Sequence, residues 1–259
     1  MENIRKYGKQ PFNTVVIHGG PGAAGEMAPV AKELSHTIGV LEPLQTQNTI
    51  EEQLNELKCA FEIHTDLPVT LIGYSWGAWL SLIFAAKYPE LVKKLILVSS
   101  GPFESKYAQE IIEIRLSRLS EDEKKQAVSL LKDLENQDLH DRNITFGQIG
   151  KLISKADVYE PVEFPGDDII FSYDIFQNVW EQAAELRKSG RLLEYARKIQ
   201  CPVLAIHGDY DPHPAEGVEK PLSKLIKEFR FILLNNCGHK PWIEKQVYDK
   251  FYEILKKEL

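Results

Sequence analysis

The chain has 259 residues, a length that suits one large α/β domain with an insertion and a sizeable core. Hydrophobic residues make up 43% of it and charged residues 27%, as in ordinary soluble globular proteins. The formal net charge is -7 without a cluster of Lys or Arg, which makes nucleic acid and anionic membranes poor candidate partners.

Targeting and redox signals are weak in this chain. The polar stretch of residues 1–13 lacks an apolar signal core, and no apolar run reaches membrane-spanning length. The three cysteines, Cys59, Cys201 and Cys237, are scattered and odd in number, which argues against a disulfide framework. We therefore expect a cytoplasmic protein. We also expect no metal, because no cluster of residues has metal-ligand spacing, and we expect no cofactor.

The first part of the chain alternates strand and helix. An apolar run at residues 14–17 predicts a buried strand, which leads directly into the loop HGGPG at residues 18–22. Three glycines and a proline form a tight loop whose backbone N–H groups can approach a ligand closely. Helices are predicted at 26–34 and 49–65, the second capped by Thr49 with Glu52 or by Asn48 with Glu51, with a weak strand at 39–41 between them.

The stretch PVTLIGYSWGAWLSLIFAA at residues 68–86 organises the chain. An apolar strand runs into an apolar helix through a G-x-S-x-G pentapeptide, so the chain must turn sharply at Ser75. Such a turn is strained, and Gly73 and Gly77 leave room for it because they carry no Cβ. The hydroxyl is then exposed at a helix N-terminus. The favoured interpretation of Ser75 is a nucleophile, and the alternative is a serine that only caps the helix.

After a predicted strand at 95–98, the alternation of strands and helices stops until residue 200. Amphipathic helical runs are predicted at 107–119, 120–134, 144–156 and 172–188, with a proline-broken acidic stretch at 159–168. We expect residues 102–200 to form a helical cap, or lid, over a core made of residues 1–101 and 201–259. This insertion interrupts the α/β alternation without forming an independent domain.

The alternation of strands and helices then continues. Strands are predicted at 202–206 and 231–234, with a helix at 219–228 and a last amphipathic helix at 241–257. Continuous apolar strands that alternate with helices predict a mostly parallel sheet covered on both faces. In such sheets sites form beyond the carboxyl ends of the strands. Ser75, the glycine loop, Asp211 and His239 each follow a strand, so we expect them to cluster at one edge.

A serine hydroxyl attacks a carbonyl only when a base removes its proton, and histidine has the suitable pKa. That histidine needs a carboxylate to hold its tautomer, and the developing oxyanion needs preorganised N–H donors. The chain order Ser75, Asp211, His239, with the serine on a strand-turn-helix, is the order found in α/β hydrolases.

The sequence is thus similar to the α/β-hydrolase fold superfamily, through the segments HGGPG at 18–22, GYSWG at 73–77, HGDYD at 207–211 and GH at 238–239. The glycine loop and the tryptophan after the serine resemble most the branch related to proline iminopeptidase. The resemblance implies that Ser75 is the nucleophile, Asp211 the acid and His239 the base. It also implies an oxyanion hole made by the N–H groups of Gly20 and Trp76. The two leading antiparallel strands common in larger members are expected to be absent, which gives an N-terminally trimmed sheet.

Several side chains compete for these roles. Asp209 is an alternative acid, although the family acid lies three residues beyond the glycine, which favours Asp211. His18 is expected to hold its loop by hydrogen bonds, and His207 and His213 to be structural or solvated. Cys237 is expected to be packed rather than nucleophilic. Trp79 and Trp180 are expected in the core or the pocket wall.

The predicted function is that of a serine hydrolase cleaving a small ester or amide, esterase-like or aminopeptidase-like, through an acyl-enzyme. Alternatives are a cofactor-free lyase or C–C bond hydrolase that uses the same triad, and a ligand-binding receptor with this fold. A peptidase would need acidic groups for a free substrate amine, and the cap offers Glu160, Glu163, Asp167 and Asp168, although a solvated loop is the stronger expectation. No feature of the sequence indicates an oligomeric state.

Overall fold

The computed structural model describes residues 3–136, 139–162 and 169–259. Its main sheet has seven strands, in the order β1-β4-β2-β5-β6-β8-β9, and a second sheet pairs β3 with β7. The strands are β1 Ile4–Tyr7, β2 Phe12–Ile17, β3 Ala23–Ala24, β4 Gly39–Pro43, β5 Val69–Tyr74, β6 Val92–Val98, β7 Ile170–Phe171, β8 Val203–Gly208 and β9 Phe229–Leu234.

All strands of the main sheet except the first run parallel, so the expected mostly parallel α/β sheet is confirmed. Strand β1 pairs antiparallel with β4, in a segment that the sequence predicts as a polar lead. One leading antiparallel strand is therefore present where none was expected. Strand β1 lies at the edge of the sheet, and none of its residues is fully buried. A strand in this position can therefore have a polar sequence.

Helices cover both faces of the sheet. The α-helices are α1 Ala28–Leu34, α2 Ile50–His64, α3 Trp76–Lys87, α4 Ile111–Ser117, α5 Glu121–Glu135, α6 Arg142–Ala156, α7 Tyr173–Lys188, α8 Arg191–Ala196, α9 Glu216–Leu222 and α10 Tyr248–Glu258. Successive residues of β2 point to opposite faces, so Val15 packs with α2 and α3 and Val16 packs with α1 and α10. Helix α3, which follows Ser75 directly, is buried along nearly its whole length.

Local capping signals gave the most accurate helix starts. The side chain of Thr49 accepts a hydrogen bond from the N–H of Glu52, and Ser120 with Glu123 forms a complete capping box. The helix predicted at 107–119 is shorter, since α4 follows a separate 3₁₀ turn, Ser105–Tyr107. The predicted last helix likewise starts late, because Pro241–Ile243 forms a 3₁₀ turn that buries Trp242.

Helices α4 to α8 lie in the chain between β6 and β8, within residues 102–200, which we call the cap segment. Helix α8 and strand β7 were not predicted, and α9 lies several residues ahead of its predicted place. The division into core and cap domains stays a prediction. None of the helices in the described part of the chain is long and apolar enough to cross a membrane.

Candidate active site

Ser75 occupies the turn between β5 and α3. Its backbone has φ 51° and ψ -115°, a region that non-glycine residues rarely adopt. The glycines on either side make this turn possible. A Cβ at Gly73 would lie 2.3 Å from the carbonyl O of Gly77, and a Cβ at Gly77 would lie 2.4 Å from that of His18. The N–H of Ser75 donates to the carbonyl O of Val98 at 3.0 Å, which ties the turn to the neighbouring strand.

The structure brings Ser75, His239 and Asp211 into one hydrogen-bonded chain. His239 Nε2 lies 3.1 Å from Ser75 Oγ, and His239 Nδ1 lies 2.7 Å from Asp211 Oδ2. With the Nδ1 proton donated to Asp211, the neutral ring presents the lone pair of Nε2 to the serine hydroxyl. His239 and Asp211 are both buried. This geometry lets the histidine take a proton from Ser75 while the carboxylate stabilises the resulting imidazolium.

Asp211 accepts hydrogen bonds from more than one histidine. Oδ1 accepts from the backbone N–H of His213 at 2.9 Å and lies 2.9 Å from its ring Nδ1. His207 Nε2 lies 3.4 Å from Oδ2. Burial alone would raise the pKa of the Asp211 carboxyl, but the facing histidines, with His239 foremost, hold it well below its usual range. The carboxylate is therefore ionised at neutral pH.

His213 is a member of this group that sequence reasoning did not place at the site. Its ring stacks on that of His239, with centroids 4.5 Å apart. Burial lowers the pKa of His213 to about 4, against the opposing effect of Asp211, so the ring is neutral at physiological pH. The spacing H-G-D-Y-D-P-H was the available signal, because it puts Asp211 and His213 in the loop that directly follows His207 and the end of β8.

The competing side chains have other partners. Asp209 Oδ1 accepts the N–H of Cys237 at 3.2 Å, which fits a turn cap. The ring of His18 is buried and contacts the carbonyl oxygens of Gly19 at 2.7 Å and Leu44 at 3.1 Å, which fits the expected loop-holding role. Cys237 is fully buried, and burial raises the pKa of its thiol, so it stays protonated and packed.

Gly20 and Trp76 flank the serine from two different elements. Trp76 is the first residue of α3, so its N–H has no acceptor within the helix. Gly20 lines a cavity together with Ser75 and has φ 33°. The carbonyl O of Gly20 accepts the N–H of Ala23 at 2.9 Å, which closes the glycine loop into a tight turn. Their roles as oxyanion donors stay a prediction.

The loop that carries His239 is held by two acidic residues. The backbone carbonyl O of Asp157, at the end of α6, accepts the N–H of His239 at 2.7 Å. The buried carboxylate of Glu244 accepts the N–H groups of Gly238, Tyr159 and Glu160, each at 2.8 Å. The cap segment thus takes part directly in fixing the position of the histidine.

Ser75 lies in the wall of each of two cavities that the described residues form. The first, of about 240 Å³, is lined among others by Gly20, Ser75, His239 and aromatic residues of the cap segment. The second, of about 180 Å³, runs between Trp76 and Trp79 on α3 and the cap segment. Trp180 forms part of its wall, in agreement with the expected role of that residue. Both cavities suit small substrates with substantial apolar parts.

Of the four candidate amine-binding acids, the structure describes Glu160, which does not line either cavity at Ser75. The carboxylate of Glu160 lies at the surface, where it pairs with Lys245 at 3.0 Å and accepts a hydrogen bond from Gln246 at 2.7 Å. Glu163, Asp167 and Asp168 lie outside the described residues. Among the described residues that line the first cavity, the carboxylates are those of Glu26 and Asp157.

One group of side chains has an arrangement that metals also use. Ligand atoms of Asp211, His213 and His239 lie within 4.8 Å of one another. Both ring Nδ1 atoms, however, are at hydrogen-bond distance from a different oxygen of the same carboxylate. Hydrogen bonding within the group therefore accounts for its geometry.

A mostly parallel sheet with a serine at a strained strand-helix turn, and with histidine and aspartate on later loops, defines the α/β-hydrolase class of proteins. The family model for the alpha/beta hydrolase fold matches residues 15–246, so the chain belongs to this family.

Two relatives that cover most of this chain are named proline iminopeptidases. A proline iminopeptidase of Saccharolobus solfataricus is 27% identical, over 94% of this chain and 83% of its own length. A proline iminopeptidase of Flavobacterium johnsoniae is 22% identical, over 95% of this chain and 90% of its own. The solved structure of a meta-cleavage product hydrolase from Pseudomonas fluorescens IP01 is similar in fold, with a TM-score of 0.66 and 17% identity over 98% of this chain and 92% of that one. The family match and these relatives support a hydrolase.

Proposed function

We propose that this hydrolase cleaves a small ester or amide through an acyl-enzyme on Ser75. The proposal is based on the continuous hydrogen-bonded chain from Ser75 through the His239 ring to Asp211. The Oγ–Nε2 distance is 3.1 Å and the Nδ1–Oδ2 distance is 2.7 Å. A nucleophilic serine needs a base within such reach, and the base needs an acceptor on its other nitrogen.

The proposed reaction has two halves. In the first, Ser75 Oγ attacks the substrate carbonyl carbon while His239 Nε2 takes the hydroxyl proton. The N–H groups of Gly20 and Trp76 stabilise the oxyanion, and His239 then passes its proton to the departing alcohol or amine. In the second half, His239 activates a water that attacks the acyl carbonyl and releases Ser75. Asp211 stays ionised throughout and stabilises the imidazolium, as its low pKa supports.

An ester is favoured over an N-terminal peptide bond by the charges around Ser75. A peptidase acting on a free amino terminus needs carboxylates for the ammonium group. The two described carboxylates of the first cavity already face cations, Glu26 with Lys240 at 2.9 Å and Asp157 with Arg115 at 2.7 Å. The names of the relatives favour an aminoacyl amide, so both substrate classes belong in the test.

The experiment is intact-protein mass spectrometry after exposure to a fluorophosphonate, with Ser75→Ala as the matched control. In the labelled protein Ser75 Oγ displaces fluoride from phosphorus. We expect a single adduct that is absent from the variant, and hydrolysis of p-nitrophenyl esters that the variant loses. Proline and alanine aminoacyl amides are assayed beside the esters.

The lyase or C–C bond hydrolase and the receptor alternatives predict different outcomes. Proton-transfer chemistry would leave part of the turnover in Ser75→Ala, because the serine then only assists. A receptor would bind ligands without turnover. Well-folded protein that gives no adduct would contradict the nucleophile assignment.

A further inference from the structure

The second cavity contains a positively charged side chain for which the described part of the protein supplies no anion. Arg187, on α7, lines this cavity together with Ser75. Its Nε atom is buried and has no hydrogen-bond partner among residues 3–136, 139–162 and 169–259. The guanidinium lies 5.4 Å from the ring centroid of Trp79, which contacts the cation without neutralising it.

The other charged groups of this cavity do not compensate Arg187. Arg115 also lines it, but its guanidinium is bound to Asp157 by two hydrogen bonds of 2.7 Å. None of the described residues that line the cavity is an aspartate or a glutamate. A guanidinium that is partly removed from water gains most from a carboxylate, whose two oxygens match its planar fork of donors.

Much of the rest of the cavity wall is aromatic or aliphatic. Trp79 Nε1 donates to the carbonyl O of Gly101 at 2.9 Å, which fixes the indole. Trp180 stacks on Trp79, with centroids 6.1 Å apart and planes 5° apart. Pro102 and Ile111 also line the cavity. An apolar body with an anionic group for Arg187 therefore matches the side chains that line this space.

The position of His239 indicates which part of a substrate enters this cavity. His239 must reach the leaving group to protonate it, and it lines the first cavity, on the side of Gly20. The second cavity is lined by Trp76 and His213 instead. This arrangement favours the first cavity for the leaving group and the second cavity for the acyl group.

We propose that the second cavity binds an acyl chain that is apolar next to the scissile bond and ends in a carboxylate, and that Arg187 binds this carboxylate. The substrate class is a half-ester of a dicarboxylic acid, or the corresponding half-amide. This inference rests on the proposed acyl-enzyme function and adds the chemistry of the acyl part.

The test compares two esters that differ only at the end of the chain, mono-p-nitrophenyl adipate and p-nitrophenyl hexanoate. We expect a higher kcat/KM for the adipate ester. In Arg187→Gln we expect the ratio of kcat/KM values, adipate over hexanoate, to fall by about 10- to 100-fold, the usual effect of losing one charged hydrogen-bonded pair, mainly through KM. Arg187→Lys should keep part of the preference. Lys188→Gln, an exposed cation at the next position, should leave the ratio unchanged.

The outcomes separate this inference from the proposed function. Hydrolysis of both esters with the same ratio in the wild type and Arg187→Gln would overturn the role of Arg187 alone. A wild type that prefers hexanoate would overturn the substrate class. Failure of folded protein to hydrolyse either ester, with no fluorophosphonate adduct on Ser75, would contradict the proposed function itself.

Discussion

The guanidinium of Arg115, which lines both cavities, and the carboxylate of Asp157, which lines the first, bind each other with Nε–Oδ1 and Nη2–Oδ2 distances of 2.7 Å each. Both residues belong to the cap segment, and both are mostly buried. Because the backbone carbonyl O of Asp157 also accepts the N–H of His239, this ion pair fixes the segment that holds the base.

Asp157→Ala should destabilise the protein by about 3–5 kcal/mol, because it leaves the Arg115 guanidinium buried without its partner. The measurement is the free energy of unfolding in urea, together with kcat on a p-nitrophenyl ester. The double variant Arg115→Ala/Asp157→Ala is the control and should recover part of the loss, since no uncompensated charge remains. Equal stability of the wild type and the single variant would contradict this role of the pair.

Stability should fall as the pH is lowered below the ordinary histidine range. Burial lowers the pKa of His213 from 6.5 to about 4 and lowers those of His18 and His207 as well. Below about pH 6.5 the unfolded chain takes up protons on these rings that the folded chain does not, so the full stability is present only above that pH. The expected loss for each such ring is up to about 1.4 kcal/mol per pH unit, until the folded pKa is reached.

The measurement is Tm as a function of pH, compared between the wild type and His213→Asn. The groups that face His213 are Asp211, His239 and Arg115, and the substitution leaves all of them in place. The variant starts from a lower Tm because it changes a buried hydrogen bond, but its Tm should decline less steeply between about pH 6.5 and pH 5. Parallel curves would exclude His213 as a source of the pH dependence.

Gly77→Ala should be poorly tolerated, because its Cβ would lie 2.4 Å from the carbonyl O of His18 and 2.5 Å from that of Ile17. Backbone atoms cannot move aside as side chains do, so a destabilisation of at least about 1–3 kcal/mol is expected, with loss of serine labelling. Gly150→Ala is the matched helical control, since its Cβ would meet the Phe171 ring at an ordinary 3.4 Å. The measurements are Tm and the extent of fluorophosphonate labelling of both variants. Equal values for Gly77→Ala and Gly150→Ala would refute the steric explanation.

Glu244→Ala should lower both stability and turnover, because three backbone N–H groups lose their shared acceptor at once. An unsatisfied buried donor costs about 1–3 kcal/mol. The bond from Gly238 is buried and those from Tyr159 and Glu160 are partly buried, so we expect a loss of a few kcal/mol. Hydrogen exchange at Gly238 should quicken in the variant, which a defect far from the His239 loop would not produce. Glu160→Ala removes an exposed carboxylate from the same region and should change these quantities little.

Much of the site was predictable because its signals are local. The turn at Ser75 needs glycine at set positions, and the capping residues Thr49 and Ser120 bond to atoms three residues away. The structure places Ser75, Asp211 and His239 together, as the strand ends in the sequence predict.

What the sequence missed depends on neighbours that are distant along the chain. Strand β1 was not predicted because a strand at an edge needs no apolar run. The sequence predicts His213 to be structural or solvated, because only the fold of its loop turns the ring toward Asp211. Arg187 carries no motif, and its importance follows from the apolar cavity that the cap segment builds around it.

The glycine loop and the cap segment are joined by backbone hydrogen bonds. Strand β3, just after the HGGPG loop, pairs with β7 of the cap segment, and the carbonyl O of Gly22 accepts the N–H of Ser172 at 2.8 Å. A Cβ at Gly22 would lie 2.1 Å from the carbonyl O of Ser172. Chimaeras that exchange the cap between relatives must therefore transplant the stretch around Gly22 together with its partner strand. Directed evolution of substrate range would, for the same reason, find coupled changes in two segments that lie far apart in the gene.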